Sequence, residues 1–178
     1  MKNQKLKDVL GTTLYLLIVV VLSFLIVKFV GQRTEVIGRS MNPTLNDGDN
    51  LILDKISYKL HDPERYDVVV FPFRDGSGKN YIKRVIALPG ETIRIDLDGN
   101  IYINEEILYE SYGNAVIERP GSALEGVTLG EGEYFVMGDN RNDSEDSRFS
   151  VGKVKRSEIL GRAWVRIWPF KDFGRVNK

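Results

Sequence analysis

A run of 19 residues without a charged side chain, from Val9 to Val27, constrains this chain more than any other feature. As a helix, it spans close to the ~30 Å hydrocarbon core of a bilayer. The run lacks a polar face, which counts against a helix packed in a soluble core. We therefore predict an N-terminal tip and a transmembrane helix within residues 1–30, followed by a globular part at 31–178.

The charges that flank the apolar run bear on its orientation. Three lysines and the α-amino group precede it, whereas Lys28 and Arg33 follow it. The positive-inside rule then favours a cytoplasmic N-terminus and an extracytoplasmic globular part. A cleaved signal peptide is the alternative, but the run exceeds the usual 7–15 apolar residues and no small-x-small site occurs in residues 28–33.

Composition limits the partners of the globular part. The 25 basic and 25 acidic side chains cancel, and no basic cluster interleaves with aromatic residues, so we expect no nucleic-acid partner. The chain has no cysteine, which excludes disulfides, thiolate metal ligands and a catalytic thiol. Roughly 150 residues is the usual size of one domain with its own core. We therefore expect a single such domain after the apolar run.

The sequence after the apolar run is typical of a mainly β fold. Short segments rich in β-branched and aromatic residues, bounded by turn residues, predict strands. They lie at 50–54, 67–71, 81–88, 92–97, 101–103, 134–137 and 163–168. Asp98-Gly99 is typical of a tight hairpin turn. Helical signal is confined to a weak stretch at 55–60 and a turn near 157–160, which Ser157 could cap.

A charged, glycine-rich stretch interrupts the strands. Residues 97–131 hold few core-forming runs, whereas the apolar segments 81–88 and 134–137 flank them. We therefore predict a small β insert at about 97–131, with the core of the domain closing across it.

Lys83 is the first candidate for chemistry. In an extended segment side chains alternate between faces, so Tyr81, Lys83 and Val85 share one side. If that side is buried, desolvation lowers the lysine pKa from about 10.4 toward the range that a general base near neutral pH requires. The alternative is an edge-strand lysine whose stem lies on apolar surface and whose amine reaches water.

Ser40 is the second candidate. Ten residues separate it from Val30, and even fully stretched they reach only ~35 Å, so a hydroxyl there would act near the bilayer. A serine is a poor nucleophile until a base takes its proton. The one histidine, His61, lies beside Asp62, and adjacent residues rarely place an acid behind the imidazole, so lysine is the obvious substitute. A turn serine is the other interpretation.

The densest polar stretch runs from Gly138 to Arg148. An EF-hand does not fit, because counting from Asp139 the sixth residue is Ser144 instead of glycine, and we expect no metal. A solvated loop and an ion-pair network behind a site both remain open. The charged residues available to such a network are Asp139, Asp146, Arg84, Arg141 and Arg148.

Three segments, taken together and in order, resemble the motifs of type I signal peptidases, membrane-anchored serine proteases that remove signal peptides from exported proteins. Residues 40–45 are similar to the nucleophile box, 81–91 to the lysine box and 138–148 to the C-terminal box. The resemblance covers the apolar run and roughly 31–96 and 132–178. It implies a signal-peptidase-type β core, and the single apolar span is similar to the Gram-positive-type members.

The resemblance also implies a mechanism. Lys83 would deprotonate Ser40, which would attack the scissile carbonyl and form an acyl-enzyme that water hydrolyses. No cofactor and no metal are implied. The implied partners are signal peptides of exported preproteins, cut after small-x-small sites, and the lipid bilayer of the plasma membrane.

Further roles follow from the same motifs. Ser144 matches a hydroxyl that orients the lysine amine. The matching ion-pair residues are Asp139, Asp146, Arg148 and Arg84. Shallow pockets for small residues at the −1 and −3 positions would involve Ile37, Met41, Leu45, Tyr81 and Ile82, with the substrate extended beside residues 81–83.

One position departs from part of the family. Some relatives carry a serine two residues before the nucleophile, whose hydroxyl donates to the oxyanion, and this chain has Gly38 there. The backbone N–H of Ser40 can still serve as an oxyanion donor. The second donor is therefore open.

Two other classes of protein compete with this interpretation. One is a non-catalytic, membrane-anchored β-domain that acts as an assembly chaperone for surface structures, and the intact Ser40 and Lys83 count against it. The other is a self-cleaving Ser-Lys protease of the repressor type. The apolar span and the missing DNA-binding domain count against that one.

Overall fold

The computed structural model describes residues 2–29, 31–73 and 79–176. It begins with a long helix, α1 (Lys2–Phe29). The large apolar side chains described along α1, from Val9 to Phe24, are exposed. Among the described residues, no helix meets the length and apolarity needed to cross a membrane, so the predicted transmembrane helix is not confirmed.

Short strands dominate the rest of the described chain, which confirms the mainly β prediction. The strands are β1 (Gly31–Glu35), β2 (Asn50–Asp54), β3 (Val68–Pro72), β4 (Asn80–Ala87), β5 (Thr92–Ile95), β6 (Ile101–Ile103), β7 (Glu106–Ile107), β8 (Val127–Thr128), β9 (Glu133–Met137), β10 (Val154–Lys155), β11 (Gly161–Trp168) and β12 (Gly174–Arg175). The short helices are α2 (Ser57–Leu60) and the 3₁₀ turns Gly121–Leu124, Arg156–Glu158 and Phe170–Asp172.

One local prediction is wrong, and strand β1 was missed. Ser157 does not cap the turn near 157–160, because that turn begins at Arg156 and the Lys155 N–H bonds to the Glu158 carboxylate at 2.8 Å. Strand β1 was not predicted, since Gly-Gln-Arg-Thr-Glu has no apolar alternation. Antiparallel pairing with the whole length of β2 forms it instead.

Eight strands form one antiparallel sheet in the order β1-β2-β11-β3-β4-β9-β10, with β12 beside β11. Strand β4 pairs with β3 from Asn80 to Arg84, and with β9 from Arg84 to Ala87. In the described part of the chain, the edge of β4 at 80–83 opposite β3 therefore has no strand partner. That edge lies next to Lys83.

Both faces of β4 are covered by apolar side chains. Ile82 packs in a cluster with Met41 and Leu45, whereas Val85 packs on the other face in a cluster that Tyr81 joins. The alternation predicted for this strand is therefore confirmed. A lysine in the middle of such a strand has little access to water.

Four strands form a second, smaller sheet in the order β7-β6-β5-β8. The Asp98-Gly99 turn joins β5 to β6, with Gly99 at φ +84°, a value that favours glycine. Isoleucines from β5 and β6 pack against Ile86 and Ala87 at the end of β4. The two sheets thus share one apolar cluster at the C-terminal end of the strand that carries Lys83.

Candidate active site

Ser40 lies in the turn that follows β1, and neighbouring backbone fixes that turn. The Asn140 N–H donates to the Ser40 carbonyl at 3.0 Å, and the Asn140 side-chain amide donates to the Arg39 carbonyl at 3.2 Å. On the other side, the Gly38 N–H donates to Asp47 Oδ1 at 2.7 Å. Gly38 has φ +91°, so a side chain at this position would be strained.

Lys83 points its amine at this turn. Its Nζ lies 2.8 Å from Ser40 Oγ and 3.1 Å from the Ile82 carbonyl oxygen, and the ring of Tyr81 lies 4.8 Å away on the same face. Lys83 is only 2% exposed. The structure therefore agrees with the interpretation of Lys83 as a buried lysine. The alternative, an edge-strand lysine whose amine reaches water, does not fit it.

Burial lowers the pKa of Lys83 from 10.5 to about 8, because water is not available to solvate the ammonium. The carboxylates of Asp146, Asp139 and Glu145 act in the opposite direction and favour the charged form. No carboxylate among the described residues forms an ion pair with this amine. A lysine in this state can accept a proton from an adjacent hydroxyl near neutral pH.

The next residue along β4, Arg84, forms a buried bidentate pair with Asp139. Its Nε lies 2.8 Å from Oδ1 and its Nη2 lies 2.6 Å from Oδ2, and neither side chain is exposed. The Thr44 hydroxyl donates to the same carboxylate at 2.5 Å. The pair therefore ties the nucleophile segment, β4 and the 138–148 stretch together.

A second buried bidentate pair joins Arg148 to Asp146. The Arg148 Nε lies 2.9 Å from Oδ1 and its Nη2 lies 2.8 Å from Oδ2. The same carboxylate accepts the Gly138 N–H at 3.0 Å. Of the two open interpretations, the 138–148 stretch is therefore an ion-pair network and not a solvated loop.

Arg141, the third arginine considered, pairs with a residue that the sequence did not single out. Its Nη1 lies 2.6 Å from Glu110 Oε1, and the two side chains are 2% and 7% exposed. Glu110 lies in the predicted insert, 31 residues before its partner. No local pattern distinguishes it from the other glutamates of that stretch.

Ser144 lies beside the nucleophile segment but does not bond to the amine. Its Oγ is buried and has no hydrogen-bond partner in the described structure. A Cβ added to Gly138 would come within 2.3 Å of that oxygen and 2.4 Å of the Ser40 carbonyl, so this approach requires glycine. In this structure, the Lys83 amine bonds to Ser40 and to the Ile82 carbonyl instead.

The Ser40 and Lys83 side chains line a groove of about 750 Å³. Ile37, Met41, Tyr81 and Ile82 line it, in agreement with their expected location. Leu45 does not line it: this side chain is 1% exposed and packs in the core beside Met41. The structure therefore corrects the placement of Leu45.

His61 takes no part in this arrangement. It is exposed after α2, and its Nδ1 lies 3.0 Å from the Asp62 carbonyl oxygen. Within residues 2–29, 31–73 and 79–176, no three side chains of His, Asp or Glu cluster in a way that could hold a metal ion.

This chain is similar to known proteins. A crystal structure of a signal peptidase I from Enterococcus faecalis is 35% identical and covers 57% of this chain and 97% of its own, with a TM-score of 0.48. The family model described as "Signal peptidase, peptidase S26" matches residues 9–168.

Two relatives match over most of their own length. A probable signal peptidase I-2 from Synechocystis is 41% identical over 163 residues, which are 89% of this chain and 72% of that protein. A signal peptidase I from Bacillus licheniformis is 36% identical over 171 residues, 91% of this chain and 90% of its own. On the family match and these relatives, the chain belongs to the signal peptidase family, peptidase S26, and groups there with the signal peptidase I enzymes.

Proposed function

We propose that this chain is a membrane-bound serine endopeptidase that removes N-terminal signal peptides from exported preproteins after small-x-small sites, with Ser40 as nucleophile and Lys83 as general base. The observation that carries the proposal is the 2.8 Å separation between Ser40 Oγ and the buried Lys83 Nζ. No other described base lies so close to a serine in the groove.

The reaction follows from that geometry. The neutral amine accepts the Ser40 proton as Oγ attacks the scissile carbonyl, and the resulting ammonium gives a proton to the departing amine of the mature protein. The acyl group then remains on Ser40 as an ester. Water then attacks this ester while the Lys83 amine takes its proton. The resulting ammonium gives that proton to the departing Ser40 Oγ, which restores the hydroxyl and releases the signal peptide with a free carboxyl group.

The oxyanion is best served by the backbone at Ser40. The Gly38 N–H already donates to Asp47, and the positive φ of Gly38 disfavours a side-chain donor at that position. The Ser40 N–H is therefore the donor that we assign to the developing negative charge. Ser144 is proposed to orient the amine once the substrate is bound, since its buried hydroxyl lies beside the Ser40 carbonyl and has no hydrogen bond in the described structure.

The substrate is proposed to bind as an added strand along the edge of β4 at 80–83. Backbone hydrogen bonds to such an edge give affinity, while side-chain pockets give selectivity. Ile37, Met41, Tyr81 and Ile82 supply an apolar lining near the dyad. We propose that small side chains at −1 and −3 lie against Met41 and Ile82, which are 2% and 9% exposed and already pack in a core cluster.

A single N-terminal anchor completes the proposal, with the N-terminus cytoplasmic and residues 31–178 outside. The uncharged sequence from Val9 to Val27 supports it, as do the exposed apolar side chains along α1. Extraction of membranes with alkaline carbonate tests it. The full chain should stay in the pellet, and release into the supernatant would contradict the anchor.

Cleavage of a peptide that carries Ala-x-Ala tests the dyad. With the full chain in detergent micelles, Ser40→Ala and Lys83→Met should each abolish cleavage, and full activity in either variant would refute the proposal. In the unchanged chain, kcat/KM should rise with pH and reach half its maximum near pH 8, since the base acts when neutral. A midpoint near 10 would show that water reaches the amine.

A further inference from the structure

A segment that follows β7, residues 110–114, contacts the candidate active site, and we call it the strap. Its last residue exchanges hydrogen bonds with the 138–148 stretch: the Asn114 N–H donates to the Asp139 carbonyl at 3.0 Å, and the Arg141 N–H donates to Asn114 Oδ1 at 3.2 Å. The strap thus pairs with the segment that carries the buried ion pairs. Residues 116–122 make further hydrogen bonds to residues 142–148.

Glu110 is the charged anchor of the strap. One carboxylate oxygen lies 2.6 Å from Arg141 Nη1, and the other accepts the Tyr112 N–H at 2.8 Å. Arg141 in turn donates from Nε to the Gly138 carbonyl at 3.1 Å, while its own carbonyl accepts from Arg148 Nη2 at 2.6 Å. One carboxylate therefore fixes an arginine that connects the beginning and the end of the 138–148 stretch.

Tyr112 covers Arg84, the arginine of the buried pair with Asp139. Its ring centre lies 3.8 Å from the guanidinium carbon of Arg84, and its ring packs against that of Tyr66 at 5.0 Å. A cation held against a ring face in a desolvated position is stabilised by the ring's charge distribution. Arg84 follows Lys83 directly, so the strap also contacts β4, the strand that carries the amine.

The backbone that the strap holds is the backbone on which Ser40 rests. The Asn140 N–H donates to the Ser40 carbonyl, and Gly138 lies against the same carbonyl. We propose that Glu110 is a positioning residue for the dyad: through Arg141 it fixes residues 138–140, and these set the place of Ser40 and exclude water from Lys83. The inference rests on the function proposed above for Ser40 and Lys83.

Two variants of Glu110 test the inference in the full chain, with the Ala-x-Ala peptide as substrate. Glu110→Gln keeps the shape but loses the charge, and Glu110→Ala removes both. Because a displacement of about 1 Å near a reacting pair lowers the rate about 100-fold, kcat should fall up to about 100-fold for Glu110→Ala, and less for Glu110→Gln, with KM nearly unchanged.

The pH profile separates positioning from a loss of folded protein. The groups that face the amine are the Tyr81 ring, Asp139, Asp146 and Glu145. If the 138–148 stretch loosens, water reaches Lys83, and the midpoint of kcat/KM should move from about 8 toward 10.5. A variant that is only less stable would keep the original midpoint in its folded fraction, and that result would overturn the inference.

A double variant separates a loss of stability from a loss of positioning. Glu110→Ala together with Arg141→Met removes both buried charges, which should restore the melting temperature that Glu110→Ala alone lowers. It also removes the Nε donor to the Gly138 carbonyl, so kcat and the pH midpoint should stay altered. Recovery of activity along with stability would show that Glu110 serves stability alone.

Two controls complete the experiment. Glu105→Gln breaks an exposed ion pair with Arg94 in the second sheet. Neither side chain of this pair has a hydrogen bond or ion pair to residues 138–148 among the contacts described, so kcat and the pH midpoint should stay unchanged. Ser40→Ala in the same assay tests the proposed function itself. If Ser40→Ala keeps its activity, the dyad fails; if it loses activity while both Glu110 variants behave like the unchanged chain, only the strap inference fails.

Discussion

The two sheets of this molecule differ most in whether the charged side chains in and around them are buried or exposed. In and around the eight-stranded sheet, Lys83, Arg84, Asp139, Asp146 and Arg148 are all buried. In the four-stranded sheet the fully buried side chains of β5 are Ile93 and Ile95, and its ion pair, Arg94 with Glu105, is exposed at 33% and 73% of its two side chains. The first sheet thus holds a cluster of buried charges around Lys83, whereas the Arg94–Glu105 pair of the second sheet lies in water.

The difference has a physical consequence for each region. A buried ion pair roughly balances desolvation against attraction, whereas an unpaired buried charge is strongly unfavourable. Arg84 and Arg148 each have a bidentate carboxylate, but Lys83 has none and lowers its pKa instead. Of these three cations, only Lys83, the proposed general base, is therefore buried without a carboxylate partner among the described residues. The second sheet instead packs buried isoleucines.

The largest effect is expected from breaking one of the buried pairs. Asp139→Ala leaves the Arg84 guanidinium buried without its carboxylate and removes the acceptor of the Thr44 hydroxyl. The free energy of unfolding should drop by about 3–5 kcal/mol. Urea unfolding followed by tryptophan fluorescence measures it. A loss below about 1 kcal/mol would mean that these charges are solvated in solution.

An effect of opposite sign is expected at Lys83. Its pKa is about 8 in the folded chain and 10.5 when unfolded, so at neutral pH its burial destabilises the fold by about 3 kcal/mol. Between pH 8 and 10.5 the unfolded state binds more protons, and stability from this group rises with pH. Lys83→Met should therefore be more stable than the unchanged chain at pH 7, and the difference should shrink toward pH 10.5.

Unfolding at several pH values checks this. Lys155→Met, at an exposed lysine, is the matched control and should change stability little at any pH. A Lys83→Met variant that is no more stable at pH 7 would argue against a desolvated amine.

The sequence predicted the elements that depend on local pattern. Alternation in β4 placed Tyr81 and Val85 on one side, and the Asp98-Gly99 turn marked the β5–β6 hairpin. In each case the signal lies within about ten residues. Strand β1 was not predicted, because its sequence is polar and it forms a strand through pairing with β2.

The partners of Arg84 and Arg141 could not be read from the sequence, because a contact between residues far apart in the chain leaves no local pattern. Arg84 and Asp139 are 55 residues apart, and five charged residues allowed several pairings. Glu110 was missed for the same reason. Leu45 was misplaced because an apolar side chain five residues after Ser40 can point into the groove or into the core, and only the packed turn decides which.

A smaller effect is expected in the aliphatic core of the second sheet. Ile95 is fully buried, so Ile95→Val removes one methylene and should lower the free energy of unfolding by about 1 kcal/mol. Cleavage by the folded protein should not change, because the strap and its partners keep their contacts. A parallel loss of kcat would show that packing of this sheet is transmitted to the site.

The smallest effect is expected from the exposed pair in the same sheet. Arg94→Gln removes a contact of 3.4 Å to Glu105, and both side chains are partly in water, where screening leaves such a pair worth less than about 1 kcal/mol. The guanidinium also lies 4.2 Å from the Tyr102 ring. Salt screens the ion pair more than the ring contact, so a loss of stability that persists at high salt would come from the ring contact. Urea unfolding at two salt concentrations separates these terms. A change near that of Asp139→Ala would remove the distinction between the two sheets, since it would mean that charge exposure does not set the strength of these pairs.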